Sequence, residues 1–299
     1  MIVRLIEVGP RDGFQPVAPF IPTDDKVGFI VDAHGAGLRH IEIGAFVSPT
    51  AVPQMRDTAE IMRRVAGLPG LDTRVLVPNA RGAELALAAG ARHLVYVVSV
   101  SDAHNRSNVG RGTDDSVADY RTIVSRLSRD VRVRINLSTS FDCPFDGRIH
   151  PDRVLRLIEQ LLPGRSDIEI GLCDTTGRAD PAAVEALAGA CRERFGAKTR
   201  WVFHGHDTYG LGLVNIMAAF RAGIRDFDTA FGGLGGCPFA PGATGNTATE
   251  DAAWMFARMG IETGLDVDRL IDLATRAAAL PGASTGGRAR IAIAARRAA

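Results

Sequence analysis

The sequence predicts an α/β fold: a (β/α)8 TIM barrel with additional C-terminal helices. Three observations point there. Strand-like and helix-like patterns alternate through eight cycles in about 260 residues, against about 250 for a typical barrel. A glycine seam recurs where a helix pattern gives way to a strand, at Ala36-Gly37-Leu38-Arg39, Ala89-Gly90-Ala91-Arg92 and Ala222-Gly223-Ile224-Arg225. Glycine there can take the left-handed conformation that ends a helix, and three matching seams indicate a repeated joint. Finally, Gly9-Pro10-Arg11-Asp12-Gly13 after the first strand is not the glycine fingerprint of a doubly wound open sheet.

The elements follow in order. Val3–Val8 is the first strand pattern, and Thr23 opens a helix with Asp24 and Asp25 in its first turn, where acids suit the positive helix end. That helix stops at Gly35–Gly37, and Ile41–Ile43 is the second strand. Further strands fall at Arg74–Val77, His93–Val100, Val131–Leu137, Ile168–Leu172, Arg200–Phe203 and Asp226–Phe231. Helices fall at Gln54–Val65, Ala80–Ala89, Ser116–Leu127, Pro151–Leu161, Pro181–Phe195, Gly212–Ala222 and Thr249–Met259. No linker, low-complexity segment or charge run divides the chain, so 1–299 reads as one domain. The barrel occupies residues 1–262, and a helical extension, Ala-rich with scattered Arg, occupies 263–299. Those last helices permit a homodimer interface.

Composition narrows the function classes. The chain carries 35 basic and 34 acidic residues, a net charge of +1, which argues against holding nucleic acid or a membrane surface by bulk charge. No apolar run approaches the roughly 20 residues that span a bilayer, and the N-terminus shows no signal-peptide core. Four cysteines without a disulfide-framework spacing fit a reducing cytoplasm.

In a barrel of this kind the site lies on the loops at the C-terminal strand ends. The polar residues placed there are Arg11, Asp12, Gln15, Glu42, Asn105, Arg106, Asn108, Asn136, Asp174, His204, His206, Asp207, Cys237 and Asn246. His204-Gly205-His206 is the sharpest of these features. Residues i and i+2 of a strand share a face, so both imidazoles can converge on one divalent metal. The alternative is a pair that caps the strand by hydrogen bonds. Asp12 can add a carboxylate and Asn246 a carbonyl. A nitrogen and oxygen donor set without thiolate favours Mg²⁺ or Mn²⁺, with Co²⁺ or Zn²⁺ as other candidates. Glu42 should project inward and needs a partner, for which Arg11 is the natural choice. Arg11 reads either as a structural ion pair or as the cation that steadies a developing enolate. Cys237, in the glycine-dense loop GGLGGCP, reads equally as a proton donor on a closing lid or as an inert loop cysteine.

Together, Val8 through Gln15 (VGPRDGFQ), Phe46-Val47-Ser48-Pro49, Cys143 through Gly147 (CPFDG), Asp174-Thr175, His204 through Gly210 (HGHDTYG) and Gly232 through Asn246 (GGLGGCPFAPGATGN) resemble the 3-hydroxy-3-methylglutaryl-CoA lyase family, up to about Leu273. The resemblance implies a metal-dependent retro-aldol cleavage of an acyl-CoA to acetyl-CoA and a keto acid. It implies Asp12, His204, His206 and Asn246 as metal ligands and Arg11 as the enolate stabiliser. Glu42 and Asp174 would support and orient the site, His204 would also relay a proton, and Cys237 would act as general acid. Gln15, Asn108, Asn136 and Asp174 are the substrate-binding candidates. The sequence departs from the family at Asn136, where the family has Tyr, at Gly171 and Ala45, where it has Ser, and at Ala51, where it has Trp. These positions would line the acyl pocket, so a related 3-hydroxyacyl-CoA such as a citramalyl-CoA-like thioester is the alternative substrate. A condensing synthase and a 4-hydroxy-2-oxoacid aldolase on the same barrel are the alternative activities.

Overall fold

A computed structural model describes residues 2–163, 165, 167–196, 199–236, 244–283 and 285–298. Eight parallel strands close into a barrel in the order β1-β10-β9-β8-β5-β4-β3-β2. They are β1 (Arg4–Glu7), β2 (His40–Ala45), β3 (Asp72–Val77), β4 (His93–Ser99), β5 (Arg132–Ser138), β8 (Glu169–Asp174), β9 (Arg200–Gly205) and β10 (Asp226–Thr229). The helices around them are α1 (Thr23–Gly35), α2 (Thr58–Val65), α3 (Ala80–Ala88), α5 (Thr113–Arg126), α6 (Pro151–Leu161), α7 (Pro181–Phe195), α8 (Gly212–Arg221) and α9 (Thr249–Arg258). Helices α10 (Val267–Ala278) and α11 (Arg288–Ala298) form the C-terminal extension. No helix among the described residues is long and apolar enough to cross a membrane.

The three seams share one geometry. Gly37, Gly90 and Gly223 have φ of +103°, +95° and +96°, which suits glycine. The residue after each glycine reaches back five positions: Leu38 N–H donates to Ala33 O at 3.1 Å, Ala91 to Ala86 at 2.9 Å and Ile224 to Ala219 at 3.0 Å. This is the six-to-one bond of a Schellman cap. The seam arginines close it further. Arg39 donates to His34 O at 2.7 Å and Arg225 to Phe220 O at 2.7 Å, each placing a cation at the negative end of a helix.

Several boundaries differ from the sequence expectation. The last strand ends at Thr229, because Phe231–Gly233 turns as a 3-10 helix through Gly232 at φ +66°. Gln54 does not start a helix. Pro53–Met55 is a 3-10 turn, and the buried Gln54 amide accepts from Ile21 N and donates to Val17 O and Pro19 O. Two elements were not expected: α4 (Asp102–Val109), capped by Ser101, and a short hairpin of β6 (Asp142–Cys143) and β7 (Gly147–Arg148).

Charges, rather than apolar side chains, line both ends of the barrel interior. At the N-terminal mouth, Asp72 accepts from His40 at 3.0 Å, His93 at 3.2 Å, Arg74 at 3.3 Å and from Arg132. Arg74 donates to Glu169 at 2.7 Å, Arg200 joins Glu169 to Asp226, and Arg4 pairs with Asp226 at 2.6 Å. Burial and the Arg74 cation weigh against protonating His93, and its pKa falls to about 4 despite its bond to Asp72. The same neighbours hold the Asp72 carboxyl well below its usual range, against the effect of its own burial.

Candidate active site and metal centre

The C-terminal mouth is built on one unusual turn. After β1 the chain makes a single π-helical turn, Gly9–Gly13, with Arg11, Asp12 and Gly13 N–H groups all directed at Val8 O. The fully buried Glu7 anchors this turn. Its Oε1 accepts from Gly9 N at 2.7 Å and Phe231 N at 3.0 Å, and its Oε2 from Thr249 Oγ1 at 2.7 Å. Burial pushes its pKa up to about 8, against the pull of these three bonds. Phe14, Phe29 and Phe231 pack at centroid spacings of 5.5–5.7 Å and fix the first and last loops to α1.

Arg11 and Asp12 leave this turn side by side. Arg11 Nη1 donates to Asp12 Oδ1 at 2.5 Å, and Arg11 Nε donates to the fully buried Glu42. The partner inferred for Glu42 is therefore the one it has. A register shift between Glu42 and Gly44 in the β2–β3 pairing lies beside it, as bulges often do near sites.

His204 and His206 project from the end of β9 with ring centroids 5.1 Å apart. Asn246 is held opposite His206 by an antiparallel bridge, with Asp207 N donating to Gly245 O and Thr247 N to Gly205 O. Its Nδ2 donates to Asp12 Oδ2 at 2.7 Å and to Leu234 O at 3.0 Å. Asp12, His204 and His206 each offer a ligand atom, all within 4.8 Å of one another. Burial disfavours a charged Asp12, but Arg11, the two imidazoles and Asn246 outweigh it and bring its pKa to about 2. Burial and the neighbouring His204 bring the His206 pKa down to about 4, so this imidazole is neutral at pH 7.

The donor set fits a divalent cation. Buried and unpartnered around the mouth are Glu42 Oε2, His206 Nδ1 and Asn246 Oδ1. Glu42 Oε2 and Asn246 Oδ1 can only accept, and neutral His206 has a nitrogen lone pair to give. Unused acceptors beside a deprotonated Asp12 are the donor chemistry that a divalent cation takes.

Sequence reasoning did not single out the support behind these groups. Asp228 on β10 accepts from His204 Nδ1 at 3.1 Å, which leaves Nε2 as the free lone pair. The Asp228 carboxylate is itself gripped by both arms of the fully buried Arg134, at 2.8 and 2.5 Å. Arg134 then donates from Nε to Asn136 Oδ1 at 2.7 Å. The signal was available: Arg134-Ile135-Asn136 and Asp226-Phe227-Asp228 alternate polar and apolar residues inside buried strands.

The other candidates separate. Asp174 is fully buried, but both its oxygens accept from Ala179 N at 3.2 Å, and burial pushes its pKa up to about 7. Gln15 and Asn108 are exposed, and neither side chain makes a hydrogen bond among the described residues. Asn105 is structural: it accepts from Ser99 N and donates to Arg111 O, Gly112 O and Ser116 Oγ. Cys237 lies outside the described residues.

Known proteins bear on this geometry. The HMGL-like family model matches residues 2–276. Hydroxymethylglutaryl-CoA lyase of Pseudomonas mevalonii is 37% identical over 99% of this chain and 98% of its own. The (R)-citramalyl-CoA lyase of Chloroflexus aurantiacus is 40% identical over 90% of this chain and 88% of its own. A solved HMG-CoA lyase from Acinetobacter baumannii, in complex with coenzyme A and 3-methylmalate, superposes with a TM-score of 0.88 at 38% identity, covering 96% of this chain and 93% of that one. Matched at this identity along nearly its whole length, the chain belongs to the HMGL-like family and is a carbon–carbon lyase.

Proposed function

We propose that this barrel performs a divalent-metal-dependent retro-aldol cleavage of a 3-hydroxy-3-methylglutaryl-CoA-type thioester, giving acetyl-CoA and a keto acid. The observation that carries this reading is the company Arg11 keeps: a fixed guanidinium adjoining a pocket whose spare groups accept. Asp12, His204, His206 and Asn246 would hold the metal, with Mg²⁺ or Mn²⁺ favoured by the donors. When bound, such a cation supplies Lewis-acid polarisation of substrate oxygens and lowers a hydroxyl pKa.

The chain's own groups account for the rest. Glu42 and Asp12 hold the Arg11 fork at the edge of the pocket, where it offers donors to an enolate oxygen. As the C2–C3 bond breaks, its electron pair moves into the thioester enolate, the C3 hydroxyl gives up its proton and C3 becomes a carbonyl. Protonation at C2 then completes acetyl-CoA. The family resemblance gives His204 a part in passing the hydroxyl proton. With Nδ1 held by Asp228 only Nε2 can carry it, so relay and metal ligation by His204 exclude each other at any one moment. Cys237 is assigned the final donation on the strength of the family resemblance. The acyl-CoA assignment is supported by the named activities of the relatives and by the coenzyme A in the similar structure.

The test is a coupled assay for acetyl-CoA release across a panel of 3-hydroxyacyl-CoA thioesters, before and after EDTA. Release from the hydroxymethylglutaryl thioester, abolished by EDTA and restored by Mg²⁺ or Mn²⁺, is the expected result. Turnover that persists in the chelated enzyme, or no release from any thioester, overturns the reading.

A further inference from the structure

The wall made by β5 and β8 carries an unspent hydrogen-bond donor. Asn136 is only 5% exposed. Its Oδ1 is fixed by Arg134 Nε at 2.7 Å, while its Nδ2 has no hydrogen-bond partner among the described residues. That N–H is not sealed from solvent, so an oxygen entering the mouth can take the place of water as its acceptor. Direction follows from the strand. Arg134 precedes Asn136 by two residues on the same face of β5, one layer deeper in the barrel. With Oδ1 turned down towards Arg134, the other limb of the amide faces the mouth.

Gly171 makes this placement possible. It is the registered neighbour of Asn136 across the β5–β8 pairing. A Cβ at position 171 would sit 2.3 Å from Asn136 Oδ1 and 3.1 Å from Arg134 Nη2. The two departures noted in the sequence, Asn136 and Gly171, thus meet in space: the missing side chain at 171 is the space the amide fills.

We propose that Asn136 is a specificity-determining residue whose Nδ2 donates to an oxygen of the acyl group's free carboxylate, selecting monothioesters of hydroxy-dicarboxylic acids over acyl groups with an apolar end. This rests on the lyase reading above. Charge favours that oxygen. Arg134 is neutralised by Asp228, and Arg11 by Glu42 and Asp12, so neither offers a free cation to the wall. A guanidinium on Oδ1 polarises the amide and strengthens the opposite N–H, and a carboxylate is its strongest acceptor. In the reaction read above, the hydroxyl and thioester oxygens are engaged elsewhere.

Asn136→Asp separates recognition from support. Aspartate still accepts from Arg134 Nε, so a purely structural role leaves substrate binding unchanged. Under the proposal it puts an anion against the substrate carboxylate. KM for the hydroxymethylglutaryl and citramalyl thioesters then rises about ten- to hundredfold, with kcat falling far less. The inhibition constant of 3-hydroxy-3-methylbutanoyl-CoA, which lacks the carboxylate, stays within a few fold. Unchanged KM, or an equal loss for the carboxylate-free analogue, overturns the proposal. Asn136→Ser, which removes the amide without adding charge, serves if the aspartate variant does not fold, and is expected to raise the same KM by about tenfold. Calorimetric binding of the dicarboxylic thioesters to the Mn²⁺-loaded enzyme gives an arm independent of turnover. If wild type cleaves nothing yet Asn136→Asp weakens that binding, the lyase reading fails and the Asn136 assignment stands.

Discussion

The two mouths of the barrel are both lined with buried charge, and they differ in what is left over. At the N-terminal mouth the spare groups are mixed and face one another. Arg74 Nε is an unused donor, His93 Nε2 lies 3.8 Å from Glu169 Oε2, and Glu169 Oε1 lies 3.0 Å from Arg200. At the C-terminal mouth the spare groups near Asp12 can accept, and together they could hold a cation. Charge density alone therefore does not mark a site. A self-paired network holds strands together, whereas a network that leaves acceptors beside a deprotonated carboxylate and an amide N–H on the β5 wall has valences to offer a ligand.

The largest expected effect tests the C-terminal half of that contrast. Asp12→Ala should cut acetyl-CoA release by at least about a thousandfold and lower the bound metal measured by elemental analysis. Near-normal turnover and metal content would remove Asp12 from the donor set. Arg11→Lys keeps the charge but loses the fork shared by Glu42 and Asp12. It should lower kcat by about a hundredfold while metal content holds. Next comes Asp228→Asn, one bond behind His204, with an expected loss of about 10- to 100-fold in metal affinity, read by Mn²⁺ titration. Equal affinity would show that His204 needs no such backing.

The N-terminal mouth should answer in stability instead. Asp72→Asn strips the carboxylate from His40, His93, Arg74 and Arg132. About 3 kcal/mol of unfolding free energy should go with it, seen in urea melts, while KM in folded enzyme stays put. A kinetic defect larger than the stability defect would break the comparison. The smallest effect is one of pH. His93 has a pKa of about 4 in the fold against 6.5 for an ordinary histidine. Between those values the unfolded chain binds the extra proton, so the stability this residue contributes is complete above 6.5 and is lost as pH falls towards 4. In His93→Asn the fall in stability over that window should be shallower than in wild type.

The barrel was legible because its rules are local. Alternating periods and the three capped seams follow from neighbouring residues. Arg11, Asp12, His204 and His206 were legible as candidates because they sit at predicted strand ends in close sequence pairs. What escaped depended on closure. The bonds Arg134–Asp228 and Asp228–His204 join residues 94 and 24 apart, and nothing in either segment names the other. Helix α4 was missed because a polar run, Asp102–Val109, is stabilised by its Ser101 cap and not by an apolar stripe. Gln15 and Asn108 sit exposed at strand ends with no hydrogen bond among the described residues to fix them, and their part in substrate binding stays a proposal.

The seams carry a further consequence. Each is held by its own backbone turn, and Arg39 and Arg225 reach back to the last turn of the helix just ended. The three are not equally independent: Gly37 lies against the Gly264–Leu265 backbone and Gly223 against Arg192, which donates to Ala222 O at 2.5 Å, whereas nothing lies beside Gly90. A strand and the helix before it could be exchanged through the Gly90 junction without renegotiating its neighbours, while the other two carry theirs with them. That separates the frame, built from a repeated joint, from the opposite rim, where Asn136 and Gly171 fit one another and no other pair of strands repeats them.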